Sequence, residues 1–426
     1  MKIPPVKGTR DFYPEEMSLR NWVIDGWKAI SVRNGFVEYD GPIFEYLKMY
    51  QIKSGDEIVE QLFSLTDRGG RDLAIRPEIT PTLARMVNQR INSLSRPIKW
   101  FSVPRLCRAE KPQKGRLREF FQWNLDIIGS EDVLADAEVV FATVDYLRSV
   151  GLGEKDIKVK ISCRRLLAKF LKAIGIEQAR LDPIYPILDR KAKVSEEAFA
   201  EMLDKEVSDK QALSKIYEFM AVEKIADLKK LQPGVAEIQK AIENLESLFR
   251  YLEKMGVANY CVFDPNIVRG LAYYTGIVFE VHDALGDLRA IAGGGRYDNL
   301  LKQFGGPEVT GTGMGMGDCV LEVLLREKGL LDNIAEKTLD YFVAYADKAY
   351  LDNAVAVTAR LRSAGHSASF SYKASGLGKQ LKQASELRAA KCLIIGSEID
   401  NGELVIKDMA TAEQCKIGQE DFFAGL

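Results

Sequence analysis

Histidine is nearly absent: His282 and His366 are the only two in 426 residues. Neither stands within a helical turn of a plausible set of metal ligands, and a lone histidine is usually structural. General-base chemistry by histidine and a histidine-rich metal centre are therefore disfavoured, and no metal ligand is assigned. Cysteine is also sparse. Its six positions, 107, 163, 261, 319, 392 and 415, include no pair within four residues, which argues against a zinc ribbon. A chain this long does not need a disulfide framework, so the thiols read as reduced and the setting as cytoplasmic. A strong charge of either sign is missing too: the formal net charge is -2, so any contact with nucleic acid has to come from local patches. The N-terminal stretch MKIPPVKGTRDFYPEE has no apolar signal core, and no uninterrupted apolar run reaches membrane-spanning length, so no membrane is expected. A GxxxxGK[ST] phosphate loop is lacking as well. Ser375-Gly376-Leu377-Gly378-Lys379 has neither the first glycine at the right spacing nor a hydroxyl after the lysine.

What is present is an ordinary globular composition, 46% apolar and 28% charged, with length enough for two or three domains. The most informative stretch runs from Trp100 to Ile128. Two strand-like runs, Ile98 to Leu106 and Glu119 to Ile128, flank a polar loop holding Lys111, Pro112, Gln113, Lys114 and Gly115. From Arg105 to Arg118 there are six basic residues (Arg105, Arg108, Lys111, Lys114, Arg116, Arg118) and one acid, Glu110. Folding that hairpin crowds like charges unless an anion sits among them, and arginine forks suit phosphate oxygens. Phe120 or Phe121 offers a flat face for a base. A solvated basic hairpin is the alternative.

Before it, Pro14 to Arg33 reads as an amphipathic helix with Leu19, Trp22, Val23, Trp27 and Ile30 on one side, stopped by Asn34-Gly35. Phe36 to Tyr39 then enters a strand. Leu62 to Thr66 and Asp72 to Ile75 pair as short strands, and Arg76-Pro77-Glu78-Ile79-Thr80-Pro81 opens a helix near Thr82. There Glu78 and Thr80 serve as caps or hold a ligand ammonium group. After it come a helix from Asp132 to Val150 and a strand from Ile157 to Ser162. Arg164 to Met255 is then almost wholly helical, with breaks at Gly175, Asp182-Pro183 and Gln232-Pro233-Gly234. Around Lys191 to Lys230 its charges at i, i+4 spacing read as solvating an exposed helical insertion, an RNA-facing edge being the alternative.

Val268-Arg269-Gly270-Leu271-Ala272-Tyr273-Tyr274-Thr275-Gly276 is a loop entering the strand Ile277 to Val281. A second strand, Ala290-Ile291-Ala292, runs into three glycines and Arg296-Tyr297-Asp298. Glycines let backbone approach a ligand closely, and the tyrosine pair can wall a pocket; a Gly-rich turn with packed tyrosines is the alternative. The last part alternates: strand 339–345, helix 349–364, strand 367–370, helix 378–388, then strands 392–395 and 404–407. That predicts a small mixed or parallel α/β sheet.

Taken together, these segments resemble the histidyl-tRNA synthetases of the class II aminoacyl-tRNA synthetase family. R-x-E, basic loop, R-x-x-x-F resembles motif 2; helix–glycine–strand–proline resembles motif 1, the dimer interface in that family; RPExT, RGLAYYTG and AGGGRYD resemble the histidine-binding motifs. The resemblance implies an α+β catalytic domain on an antiparallel sheet over residues 1–327, with a helical insertion at about residues 170–235. A linker, 328–338, would lead to an anticodon-binding-like α/β domain, 339–426. It implies histidine–tRNA ligase activity: ATP as substrate with Mg2+, histidyl-adenylate as intermediate, tRNA(His) as acceptor, a homodimer as the assembly. Arg108 and Arg269 would be the catalytic arginines. Glu78, Thr80, Gln122 and Asp126 would hold the histidine ammonium group, with Tyr273 and Tyr274 around the imidazole. Glu110, Arg116 and Phe120 join Arg108 on ATP. Gln113 and Arg118 would meet the tRNA acceptor end, and Lys379 and Lys382 the anticodon side, where Lys373, Arg388 and Lys391 add to a basic cluster or to a solvated helix face.

Three positions depart from the pattern. The family's third motif places a Glu-Arg pair at a helix start, the arginine clamping the ATP γ-phosphate, whereas Asp318-Cys319-Val320 stands here. Arg326 is no simple substitute, since six residues along a helix turn it roughly 240° away from Val320. Ala109 and Ala272 replace a common histidine and a common acid. The γ-phosphate is then held differently, by the helix N-terminus and an arginine such as Arg116, or catalysis is weaker. A histidine-sensing paralogue, such as the regulatory subunit of ATP phosphoribosyltransferase, is the rival reading, and an inactive RNA-binding relative a third.

Overall fold

The computed structural model describes residues 3–51, 62–191, 194–231, 234–269, 273–331 and 339–426. Gly270, Leu271 and Ala272 of the loop after Arg269, the Gln232-Pro233 break and residues 332–338 of the expected linker lie outside them. The chain divides into two compact units, Met1–Ile334 and Ala335–Leu426.

In the first unit the strands are β1 (Val37–Glu38), β2 (Phe44–Tyr46), β3 (Phe63–Thr66), β4 (Asp72–Ile75), β5 (Ile98–Ser102), β6 (Arg105–Cys107), β7 (Glu119–Ile128), β8 (Ile157–Cys163), β9 (Cys261–Phe263), β10 (Ile277–Asp283), β11 (Ala292–Arg296) and β12 (Gly311–Gly317). Nine of them form one sheet in the order β1-β5-β7-β12-β11-β10-β8-β9, with β6 also on β7. Every pairing is antiparallel except those at the two edges, β1 with β5 and β8 with β9. A second, three-stranded sheet has the order β2-β4-β3.

Helices cover one face of the large sheet. Pro14–Arg33 begins with proline in its first turn and ends at Asn34, followed by Gly35 at φ 77°. It brings Trp27 against Trp123 of β7, and Tyr146 of the helix Leu134–Ser149 closes the group. The strand period of two divides β7. Phe121, Trp123, Leu125 and Ile127 enter this core, which runs unbroken into the helices between Arg164 and Lys254. Phe120, Gln122, Asn124 and Asp126 turn to the other face. On the covered side Arg296 forms a buried ion pair with Asp136, Nη2 to Oδ2 at 2.5 Å.

Two strand expectations change. The run Ile98 to Leu106 splits at Val103-Pro104, because proline has no N–H to give the ladder. Ser102 opposite Asn124 and Arg105 opposite Phe121 nonetheless keep one register across the gap. The triple glycine does not follow a strand: Ala292–Arg296 is the strand, paired on both sides. A Cβ on Gly294 would lie 2.2 Å from the Gly313 carbonyl oxygen, so sheet packing itself requires glycine there.

The second unit has β13 (Leu339–Tyr345), β14 (Ala368–Phe370), β15 (Ala389–Ile395), β16 (Glu403–Asp408) and β17 (Gln414–Gly418) in the order β14-β13-β15-β16-β17. The first two pairings are parallel and the last two antiparallel. Apolar clusters pack on both faces, Tyr341, Val343 and Leu393 on one, Phe342, Ala344 and Cys392 on the other. The strand β17 and the closing helix Gln419–Ala424 were not expected from the sequence.

Candidate active site

The open face of the large sheet has a floor of glycine. In β11, Gly293 and Gly295 alternate with residues of the covered side; in β12, Gly311, Gly313 and Gly315 do the same. Side chains from other segments lie on that floor so closely that a Cβ would collide with them. It would be 2.3 Å from Arg269 Nη1 at Gly293, 2.4 Å from the Tyr297 ring at Gly311, 2.2 Å from Asp126 Oδ1 at Gly313 and 2.9 Å from Gln122 Cδ at Gly315. Tyr274 lies against Gly295 in the same way.

Over the floor stand the aromatic walls. The rings of Tyr273 and Tyr274 are 4.7 Å apart, and Tyr297 meets Tyr273 edge-on at 6.0 Å. Burial pushes the phenols of Tyr273 and Tyr297 well above their ordinary range, so both are neutral donors at physiological pH. Tyr297 donates to the buried Asp126 carboxylate.

Glu78 enters from the turn before the helix Thr80–Arg90. That helix start has no side-chain cap, so neither Glu78 nor Thr80 is occupied with capping. Glu78 is buried, and its Oε1 has no hydrogen-bond partner among the described residues. An unmet buried carboxylate oxygen costs free energy unless a donor arrives. Its charge acts on both Arg108 and Tyr273. Arg108 donates Nε to the Pro77 carbonyl at 3.0 Å, and its guanidinium lies 5.0 Å from the Phe120 ring centroid. Burial lowers the Arg108 pKa; Glu78 and Glu110 oppose that fall, and the Arg116 charge adds to it.

Arg269 completes the cavity from the opposite side. Its backbone is left-handed, φ 63°, a conformation that non-glycine residues adopt at a cost and mostly at functional sites. Arg164 holds it there, Nη1 donating to the carbonyls of Val268 at 3.0 Å and Arg269 at 2.7 Å. Burial alone would lower the Arg269 pKa, but Tyr274 and Glu280 outweigh it and hold the group up as a fixed cation. Glu280 Oε1 is 2.7 Å from Arg269 Nη1, and Oε2 is 3.0 Å from His282 Nε2. Burial would raise Glu280, yet the His282 contact and Arg269 bring it down to about 2, so it stays an anion.

Thus Glu78, Arg108, Gln122, Asp126, Arg269, Tyr273 and Tyr274 line one face of one unit. Two fixed cations, a buried carboxylate and neutral phenols can hold a zwitterion beside a polyanion.

The family model for histidyl-tRNA synthetase matches residues 8–317, and that for an anticodon binding domain matches residues 334–426. The chain belongs to the histidyl-tRNA synthetase family. The histidine–tRNA ligase of Arabidopsis thaliana, chloroplastic/mitochondrial, is 37% identical over 98% of this chain and 86% of its own length. That of Opitutus terrae is 37% identical over 98% of both. The crystal structure of histidyl-tRNA synthetase from Nostoc sp. PCC 7120 shares the fold at a TM-score of 0.82 and 23% identity, covering 100% of this chain and 99% of that one.

The remaining candidates of this family member stand further out. Glu110 is paired with Arg116, Oε2 to Nη1 at 2.7 Å. Gln113 and Arg116 close the hairpin tip by two backbone hydrogen bonds of 2.9 Å, with Gly115 at φ 72° between them. Gln113 is exposed at that tip. Arg118 is at the base of the loop, Nε donating to the Glu110 carbonyl at 3.1 Å and backbone N to the Gly8 carbonyl at 2.8 Å. Lys379 and Lys382 are exposed on the helix Leu377–Glu386 of the second unit. At the departing third motif, Asp318 is taken by Arg10 at 2.5 Å and also accepts from the Phe121 backbone N–H at 3.0 Å.

Sequence reasoning missed Glu280, Arg164 and Arg289. Glu280 carried a signal, a lone acid in the apolar run Ile277 to Val281. Arg164 and Arg289 carried none, since which loops they meet depends on sheet order.

Proposed function

We propose that this chain is an ATP-dependent histidine–tRNA ligase, which activates histidine to histidyl-adenylate and transfers it to the 3′ end of tRNA(His). The observation that carries the reading is the buried Glu78 Oε1, without a partner among the described residues, beside Arg108 and Tyr273 on the sheet face that also holds Arg269 and Tyr274. Adenylation is attack by a carboxylate on the α-phosphorus, releasing diphosphate. A carboxylate is already deprotonated at neutral pH, so positioning and charge stabilisation supply the rate. In this reading Glu78, Thr80, Gln122 and Asp126 orient the ammonium group, and Tyr273 and Tyr274 flank the imidazole. Arg108 and Arg269 neutralise the carboxylate and α-phosphate. Phe120 exchanges its arginine cover for the adenine, Glu110 meets the adenine side, and Arg116 reaches the outer phosphates.

Among the described residues no group of three or more His, Cys, Asp or Glu is placed to hold a metal ion. Mg2+ is proposed to arrive on the triphosphate, as part of the substrate, and to screen its charge. Gln113 and Arg118 are proposed for the acceptor end, and the basic face with Lys379 and Lys382 for the anticodon side. We place the catalytic domain at residues 1–327 and the anticodon-binding domain at residues 339–426.

Homodimer formation is supported by the exposed apolar residues Val37, Ile43, Phe44 and Tyr46 around β1 and β2. A cytoplasmic setting is supported by six free cysteines. Among the described residues no helix is long and apolar enough to cross a membrane. The regulatory reading is not favoured, because an anticodon binding domain follows the synthetase domain. Histidine-dependent ATP–pyrophosphate exchange tests the proposal: exchange is expected, and histidine binding without exchange would favour the regulator.

A further inference from the structure

β11 runs antiparallel to β12, Ala292 opposite Met316, and β12 antiparallel to β7, Gly317 opposite Gln122. The turn before β11 therefore emerges at the sheet end where β7 begins and the helix Asp318–Glu327 starts. That turn is braced. The Asp283 carboxylate accepts from the backbone N–H groups of Asp287 at 3.1 Å and Leu288 at 2.9 Å. Arg289 follows directly. The charges that reach it are those of Arg116, Glu110 and Arg108, and Asp287 likewise reaches Lys114 at the hairpin tip.

Three guanidinium groups thus lie near one another; Glu78 acts on Arg108, and Glu110 is paired with Arg116. Among the described residues Arg289 has no hydrogen bond or ion pair. Its side chain is exposed at the sheet end; partial desolvation, Arg116 and Arg108 lower its pKa, and Glu110 opposes that fall. Arg10, at the helix start, is committed to Asp318 and Glu322, and Arg326, in the last turn of that helix, to Glu322. Phe120 and Arg108, proposed above for the base and the α-phosphate, lie together, and the charges of Arg108 and of the Arg116–Glu110 pair both reach Arg289.

We propose that Arg289 is a phosphate-binding residue that holds the outer phosphates of ATP together with Arg116, at the place where the helix beginning at Asp318 offers no cation. It rests on the functional reading above. Its guanidinium fork accepts two oxygens of a polyanion and relieves the repulsion among the three arginines.

The test compares ATP and AMP binding by full-length wild type, Arg289→Gln and Arg289→Lys, with thermal melts alongside. Loss of charge-assisted hydrogen bonds is expected to weaken ATP about ten- to a hundredfold in Arg289→Gln. AMP affinity and the melting temperature stay unchanged, and Arg289→Lys recovers part of the loss. Unchanged ATP affinity in Arg289→Gln, or equal losses for ATP and AMP, would overturn the inference. The two ideas separate at the wild type. A wild-type protein with no ATP binding sinks the functional reading and this residue's role together; a wild type that exchanges, beside an unaffected variant, sinks only the role.

Discussion

Glu280 joins Arg269 to His282 with its two carboxylate oxygens, 2.7 Å from the arginine and 3.0 Å from the imidazole. It touches the cavity only through Arg269, so it is a positioning residue: the acid fixes a cation whose backbone is itself held in an unfavourable conformation. Glu280→Gln is expected to cut the exchange rate and raise KM for histidine while AMP binding is retained. The folded carboxyl sits at about 2 against an ordinary 4.5. A depressed carboxyl stabilises the fold fully above its unfolded value and loses that contribution as pH falls through the folded one. The stability gap between wild type and Glu280→Gln is therefore about 3 kcal/mol at neutral pH. It narrows below pH 4.5 and closes near pH 2. Denaturant melts across that range check it; a gap independent of pH would refute the assignment.

Two adjacent glycines are expected to fail differently. A Cβ on Gly293 meets the far end of the Arg269 side chain, 2.3 Å from Nη1, whereas one on Gly294 meets the Gly313 backbone oxygen at 2.2 Å. A guanidinium can move and a paired strand cannot. Gly293→Ala should keep its melting temperature and lose activity about ten- to a hundredfold, the effect of moving a charged hydrogen-bonding group out of place. Gly294→Ala should lose stability by about 1–3 kcal/mol or more through overpacking. Melting and exchange assays on the pair decide; a fall in stability for both would show that Arg269 cannot move aside.

These glycines also show where the sequence stops being legible. Pro14 to Arg33 was readable to the residue because its signals are local: proline in the first turn, Asn34-Gly35 at the exit. β7 was equally plain from Glu119 to Ile128, since aromatic and apolar residues recur at a strand's period. The Gly293-Gly294-Gly295 run carries the opposite local signal, flexibility, yet it lies within a strand paired on both sides. What it supplies is the room that Arg269, Met314 and Tyr274 take, and that is tertiary information. Gln414–Gly418 escaped notice because it is a short edge strand with three exposed residues, whose alternation is limited to Cys415 and Ile417. Arg289 could not be chosen from among 59 lysines and arginines before sheet order brought it to Arg116.

Stability can be tested away from the cavity at Arg296. Its guanidinium gives Nε and Nη2 to the Asp136 carboxylate, and Nη1 and Nη2 to the carbonyls of Ser130 at 2.9 Å and Asp132 at 3.0 Å. Both partners are buried. Asp136→Ala leaves a buried guanidinium with only the more distant Asp298, 3.7 Å away, and is expected to cost about 3–5 kcal/mol. Asp136→Leu combined with Arg296→Met should recover most of that loss, because a well-packed apolar pair replaces two desolvated charges. Urea melts of the single and double variants measure it. A double variant no more stable than Asp136→Ala would mean that the carbonyl contacts of Arg296, not the ion pair, hold this part of the sheet.

In the second unit, Lys379 and Lys382 occupy one exposed helix but differ in company. Lys382 has Glu386 one turn on, at 3.7 Å, whereas Lys379 has no ion pair among the described residues. The loop before the helix is fixed by the buried Gln380, whose Nε2 donates to the carbonyls of Tyr345 at 2.8 Å and Ser375 at 2.7 Å. Lys379 therefore projects from a rigid base and is the better placed for a phosphate. Lys379→Ala is expected to weaken tRNA(His) binding several-fold and to reduce the slope of log affinity against log salt by about 1. Lys382→Ala, which removes a lysine that already has a carboxylate neighbour, should change both less. Histidine-dependent exchange, proposed above for the first unit, is expected to stay unchanged in both variants. Filter binding over a salt series, with exchange measured on the same preparations, gives the answer. A loss of exchange in Lys379→Ala would reject the anticodon-side role of this face.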